Sequence, residues 1–185
     1  MKAGDDGKEM KKDIKIAVSG KSGCGNTTVS KIVADRLGLR FVNFTFRSLA
    51  KETGISLRDV LDMASKDDTW DKEVDKRQLE LARSGGGCVL GSRLAIWMLE
   101  EADLKVYLRA NARTRAARIL NREGESIESA ASFTAERDRQ DHDRYLRIYS
   151  IDNDDCAFAD IIIDTDCLDP QKIAEIIIEA AEKIK

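Results

Sequence analysis

The residues Gly20-Lys21-Ser22-Gly23-Cys24-Gly25-Asn26-Thr27-Thr28 follow an apolar run over 14–18 and precede an amphipathic stretch. Glycines in that place let backbone N–H groups converge on an anion, and the N-terminus of a following helix adds partial positive charge. The order fits G-x-x-x-x-G-[K]-[ST], a phosphate loop, with Thr27 supplying the hydroxyl that would ligate Mg²⁺. Asn26 stands where lysine is usual. Three readings are open. Lys21, in the same loop, replaces the missing cation; arginines from elsewhere carry the charge; or the loop binds nucleotide without turnover. Phosphoryl transfer depends on positioning and charge stabilisation, so a relocated cation would suffice.

Arginine supplies the second pattern. Nine of the sixteen arginines fall between Arg109 and Arg147, which sets this half apart as the place to look for anion chemistry. Arg137, Asp141 and Arg144 recur at i, i+4 and i+7, so a helix would carry them on one face. Guanidinium groups so arranged suit bidentate recognition of several phosphate oxygens. Asp141 between them would orient a guanidinium or accept from a base amino group. The plainer alternative is a solvated helix laced with i,i+4 ion pairs. Arg47 and Arg93 each follow a strand-like segment, and residues just past the carboxyl ends of parallel strands line a ligand crevice.

These side chains need elements to hold them. Strand-like runs at 14–18, 39–44, 88–90, 104–108 and 161–163 alternate with helical periodicity at 27–37, 45–53, 56–65, 71–83, from 109 to about 122, 125–149 and from Pro170 onward. Gly38 is a helix stop, Ser56 an N-cap and Pro170 a first-turn residue. Strands separated by helices imply βαβ crossovers, hence a three-layer α/β fold around a parallel sheet of about five strands. The helical stretches after the second and fourth strands read as too polar for core layers and as insertions covering a site. Residues 1–13 are charged, lack an apolar core and read as a flexible leader.

Composition narrows the function class. With 185 residues and net charge −3, one domain is expected, without the basic excess of a nucleic-acid binder. No apolar run approaches the roughly 20 residues of a membrane span. The four cysteines are widely spaced without a C-x-x-C pair, which suits free thiols in a cytoplasmic protein. With His142 the sole histidine, no zinc cluster is expected.

The chain resembles the cytidylate kinases, in their short archaeal-type branch, over about 14–178. The resemblance rests on the phosphate loop, Phe44-Thr45-Phe46-Arg47-Ser48-Leu49-Ala50-Lys51-Glu52, Asp71-Lys72-Glu73-Val74-Asp75-Lys76-Arg77-Gln78, Gly91-Ser92-Arg93-Leu94-Ala95-Ile96-Trp97 and, most specifically, the run from Arg144 to Asp155. It implies a single P-loop nucleoside monophosphate kinase domain with a monophosphate-binding insertion at about 45–83 and a lid at about 124–147. The implied activity is transfer of the γ-phosphoryl of ATP to CMP or dCMP with Mg²⁺, in a monomer bound to neither nucleic-acid polymer nor membrane. By that analogy Gly20 to Thr28 hold the ATP phosphates and Thr27 the metal. Arg47 and Arg93 hold the acceptor phosphate, Arg137 and Arg144 reach in from the lid, Asp141 joins the acceptor site, and Lys21, Arg137 and Arg144 are catalytic. In this branch a small polar residue often replaces the loop lysine. Many relatives carry a carboxylate at the end of the third strand; Leu90, Gly91, Ser92 and Leu94 supply none. The remaining alternatives are a kinase of another nucleotide or small phosphorylated metabolite, or a non-catalytic nucleotide-binding module.

Overall fold

Residues Ile14, Ile16 and Val18 point to one side of the first strand and Ala17 to the other, and all four are fully buried. A strand apolar on both faces belongs in the middle of a parallel sheet. The structure, a computed structural model, describes residues 13–123 and 127–184. Of the expected leader only Asp13 is among them, and residues 124–126 of the expected lid lie outside them. β1 (Lys15–Ser19) is the centre of a five-stranded sheet ordered β2-β3-β1-β4-β5, with β2 (Arg40–Val42), β3 (Cys88–Gly91), β4 (Leu104–Arg109) and β5 (Ile161–Asp164), every pair parallel.

Helices cover both faces. α1 (Asn26–Leu37) and α8 (Pro170–Ala181) pack together on one face, burying Val29 and Val33 against Ile173 and Ile177. Each such side chain contributes on the order of 1.5–3 kcal/mol over its exposed state. The sheet's other face buries Ala17, Leu90 and Tyr107 beneath α5 (Ala95–Met98) and Ala82 of α4 (Thr69–Arg83). Four residues are too few to show a helical period, so α5 was not expected. The expected boundaries hold to within a few residues: Gly38 ends α1, Asp169 caps α8 with Pro170 behind it, and Ser56 accepts from Asp59 N at the head of α3 (Leu57–Ala64).

One expectation needs correcting. Residues 45–83 do form a core layer, though a small one: α2 (Phe46–Thr53), α3 and α4 enclose Phe44, Leu49, Ala50, Val60 and Val74. Their few apolar positions fall at helical spacing, so they meet in one place despite the polar average. α6 (Ala112–Glu123) and α7 (Ile127–Tyr149) follow β4, and the C-terminal half of α7 buries Asp141 and Tyr145. The chain leaves β1 toward β3 and β2 and returns on its other side to β4, and ligands bind outside the carboxyl ends of strands at such a switch point.

Candidate functional site

At that switch point lies a cleft of about 570 Å³ lined by residues 21–28, by Asn43 to Phe46, by Asp71, Val74, Asp75 and Gln78 of α4, by Arg93, and by Arg137, Arg144 and Tyr145 of α7. Its floor is the glycine-rich loop. Gly20 lies so close to β4 that a Cβ there would stand 2.3 Å from Leu108 O, and Gly23, at φ +87°, would place one 2.8 Å from Arg115 O. Neither position admits a side chain without moving backbone.

Two guanidinium groups hold this loop, Arg115 from outside the cleft and Arg118 from its lining. Arg115 Nη1 donates to Ser22 O at 3.1 Å, and Arg118 Nη1 donates to Gly23 O at 3.3 Å. Arg115 is itself fixed by Asp138 of α7, through bonds of 3.1 and 2.7 Å, in a nearly buried pair. With the loop carbonyls turned toward these cations, the amides of the first turn of α1 are left to the cleft, where an anion would meet them. Asn26 Nδ2 donates 2.5 Å to Gly20 O and closes the loop on itself, while its buried Oδ1 has no partner among the described residues. Asn43 Nδ2, past the end of β2, donates to Thr27 Oγ1 (3.3 Å) and to Gly91 O (2.7 Å). Burial pushes the Cys24 thiol up, so it is a packing group and no nucleophile.

Lys21 lines the same cleft, and its Nζ lies 2.5 Å from Asp154 Oδ1 in the segment after α7. There His142, Asp152 and Asp154 bring possible metal ligand atoms within 4.8 Å of one another, a grouping the sequence did not suggest. Both carboxylates are exposed and Asp154 is already committed to Lys21.

The opposite wall carries the arginines. Asp141, only 6% exposed at its side chain, receives Arg93 on one carboxylate oxygen and Arg144 on the other, the latter at 2.6 Å. Two guanidinium groups thus share one buried carboxylate at this wall. Arg144 also lies 3.3 Å from Asp71, and its guanidinium sits 5.3 Å from the Tyr145 ring centroid. α4 mirrors this spacing, since Asp71, Asp75 and Gln78 recur at i, i+4 and i+7 facing the cleft. Asp75 accepts from Tyr149 OH at 2.7 Å and from Gln78 Nε2 at 3.2 Å. Burial pushes the Asp75 carboxyl up to about 6, against the Tyr149 hydrogen bond and with the repulsion of Asp71. Burial also raises Asp71, partly offset by Arg144.

The structure therefore gathers residues 21–28, Arg93, Arg137 and Arg144 around one cleft. It does not place Arg47 in the lining; that residue is exposed in the first turn of α2. Asp141 lies behind the wall, holding the arginines, and does not line the cleft. The sequence reading missed Asn43, Asp71, Asp75, Gln78, Arg115, Arg118 and Tyr145. For α4 the signal existed in its polar i, i+4, i+7 spacing; for Arg115 and Arg118 nothing local distinguishes them from a solvated arginine-rich helix.

The fold is that of known kinases at low sequence identity. Shikimate kinase from Bacteroides thetaiotaomicron matches 91% of this chain and 98% of its own, with TM-score 0.62 at 14% identity. Deoxyadenosine kinase from M. mycoides matches 90% and 98%, with TM-score 0.54 at 18% identity. Sequence relatives are nearer. "Cytidylate kinase 2" of Borreliella afzelii is 43% identical over 92% of this chain and 97% of its own length. "Cytidylate kinase" of Pyrococcus horikoshii is 42% identical over 95% and 92%. The cytidylate kinase-like family model matches residues 15–167. The family model spans most of the chain and these relatives are above 40% identical over nearly all of it, so the chain belongs to the cytidylate kinase-like family.

Proposed function

We propose that this protein transfers the γ-phosphoryl group of ATP to CMP or dCMP, giving CDP or dCDP, as a monomer in the cytoplasm. One observation carries the reading: a loop built for a polyphosphate faces Arg93, Arg137 and Arg144 across a single cleft, so two anionic ligands can be held end to end. Family membership and the names of the relatives support the acceptor. The free state of all four cysteines supports a reducing compartment, and among the described residues no helix is long and apolar enough to cross a membrane.

In this reading the amides of residues 20–28 and the α1 N-terminus hold the ATP phosphates. Arg93 and Arg144 hold the acceptor phosphate, oriented by Asp141, and Arg137 bridges toward the transferring group. Lys21 supplies the charge that Asn26 lacks, exchanging Asp154 for phosphate oxygens. Arg47 reaches the acceptor when α2 moves toward the cleft. The insertion at 45–83 takes the monophosphate, and the segment at about 124–147 closes as a lid, excluding water so that the acceptor and not hydrolysis receives the phosphoryl group.

Mg²⁺ fits the donor set here. Thr27 offers a hard hydroxyl oxygen at the cleft, fixed by Asn43, and ATP oxygens and water would complete the shell. Thr27 would hold the ion, which when bound neutralises charge between the phosphates. The test is an acceptor panel of nucleoside monophosphates and small phosphorylated metabolites with ATP. ADP formation should depend on CMP or dCMP, with little release in the absence of acceptor. Failure of every pyrimidine monophosphate to stimulate ADP release rejects the proposal.

A further inference from the structure

Phosphate recognition leaves the α4 wall of the cleft unexplained. Asp71 and Asp75 face the same space as the phosphate-binding arginines, and carboxylates there would repel a phosphate. The part of an acceptor that meets α4 is therefore its uncharged end, the base. Several acceptors along this wall are already taken. Asp71 is ion-paired with Arg144 through Oδ1 and is a charged acceptor, and the two oxygens of Asp141 hold Arg93 and Arg144. Asp75 uses one oxygen for Tyr149 OH and the other for Gln78 Nε2. The end of β3 offers no carboxylate, since Gly91 and Ser92 lead to Arg93 and Leu94.

Gln78 differs from all of these. It is 7% exposed, it lines the cleft, and its Oε1 has no donor among the described residues. Asn26 Oδ1 is likewise buried and unpartnered, but it belongs to the phosphate loop. Asp75, largely ionised at pH 7.5, only accepts, so Gln78 must turn Nε2 toward it and leave Oε1 for something else. A buried acceptor without a donor selects a ligand that brings one. Cytosine carries an exocyclic amino donor at the position where uracil carries an oxygen acceptor.

We infer that Gln78 Oε1 accepts a hydrogen bond from the exocyclic amino group of the acceptor base and so sets the preference for cytosine over uracil, with Asp75 and Tyr149 as positioning residues behind it. This rests on the pyrimidine monophosphate reading above and names the group that recognises the base.

The test compares kcat/KM for CMP, dCMP, UMP and pyrimidin-2-one ribonucleoside monophosphate, which lacks the amino group, in wild type and Gln78→Met. Wild type should favour CMP over both UMP and the amino-less acceptor by about 10–100-fold. Gln78→Met should lose that factor on CMP, change the other two by less than about 3-fold and leave KM for ATP unaltered. Wild type using the amino-less acceptor within about 3-fold of CMP overturns the inference without any variant. Retention of the CMP to UMP ratio by Gln78→Met overturns it, as does loss confined to the CMP to dCMP ratio, which would assign Gln78 to the 2′-hydroxyl. If wild type phosphorylates no pyrimidine monophosphate, the acceptor reading itself falls, a result distinct from a normal activity with an unmoved ratio.

Discussion

Lys21 and Asp75 show how far a residue's role depends on its partner. Lys21 sits in the phosphate loop by sequence, but its ammonium is held by Asp154, 133 positions later. If it replaces the missing loop lysine, Lys21→Ala lowers kcat about 10–100-fold, measured at saturating ATP and CMP. A loss below about 3-fold would move the charge to Arg137 and Arg144. Asp75 is a partly buried carboxyl whose folded pKa, about 6, exceeds its ordinary 3.8. The folded state therefore binds the proton more tightly, and this group's contribution to stability falls as pH rises from about 4 to 6. Asp75→Asn removes the penalty. Its stability relative to wild type should rise by about 1–2 kcal/mol between pH 4 and pH 7.5 in urea titrations. An unchanged difference would mean that burial does not oppose the charge. The sequence marks both side chains as ionisable, but neither the Asp154 partner nor the Asp75 burial is local information.

Between elements, the C-terminal half of α7, from Asp138 to Tyr149, is fastened to its neighbours. Asp138 pairs with Arg115 of α6, Asp141 holds Arg93 after β3, and Arg144, Arg147 and Tyr149 meet Asp71, Asp68 and Asp75 of α4. The exposed outer pair, Arg147 with Asp68, is screened by solvent and adds little. The Arg115–Asp138 pair matters more, because Arg115 also carries the Ser22 carbonyl. Arg115→Met should raise KM for ATP about 10-fold while moving KM for CMP by less than about 3-fold. Equal changes in both constants would mean a general loss of structure. The i, i+4, i+7 spacing of Arg137, Asp141 and Arg144 made this face of α7 legible in the sequence. Its division of labour was not: Arg137 and Arg144 line the cleft while Asp141 lies behind them. A period gives the face of a helix, but the depth of each residue depends on what packs against it.

Across the whole molecule, a net charge of −3 conceals a cleft where Arg93, Arg137 and Arg144 gather opposite the glycine-rich loop. Two cores of unequal size frame it. Among the described residues, one face of the sheet, with α1 and α8, buries sixteen in one cluster, whereas α2, α3 and α4 enclose five, Val60 and Phe44 among them. The smaller core should open more readily, as elements that close on ligands must. Amides of α2 and α3 should exchange about 10²–10³ times faster than those of β1 and β4 by hydrogen–deuterium exchange, and CMP should slow them more than it slows α8. Uniform protection across α2, α3 and the sheet would contradict a closing insertion.

The sequence by itself determined the order of strands and helices apart from the four-residue α5, the phosphate loop with its missing lysine, and most helix ends. All of these are set by periodicity, capping and turn chemistry within a few residues. Tertiary structure alone decided that Asp141 is buried between two guanidinium groups, that Lys21 answers to Asp154, that Arg115 holds the loop from behind, and that Gln78 keeps an unpaired oxygen. Apart from Arg144, three positions from Asp141, their partners lie from tens of positions to more than a hundred away in the chain. A charge or a hydrogen-bonding group takes its protonation and orientation from whatever the fold brings within a few ångströms, and residues that distant leave no trace in the local pattern.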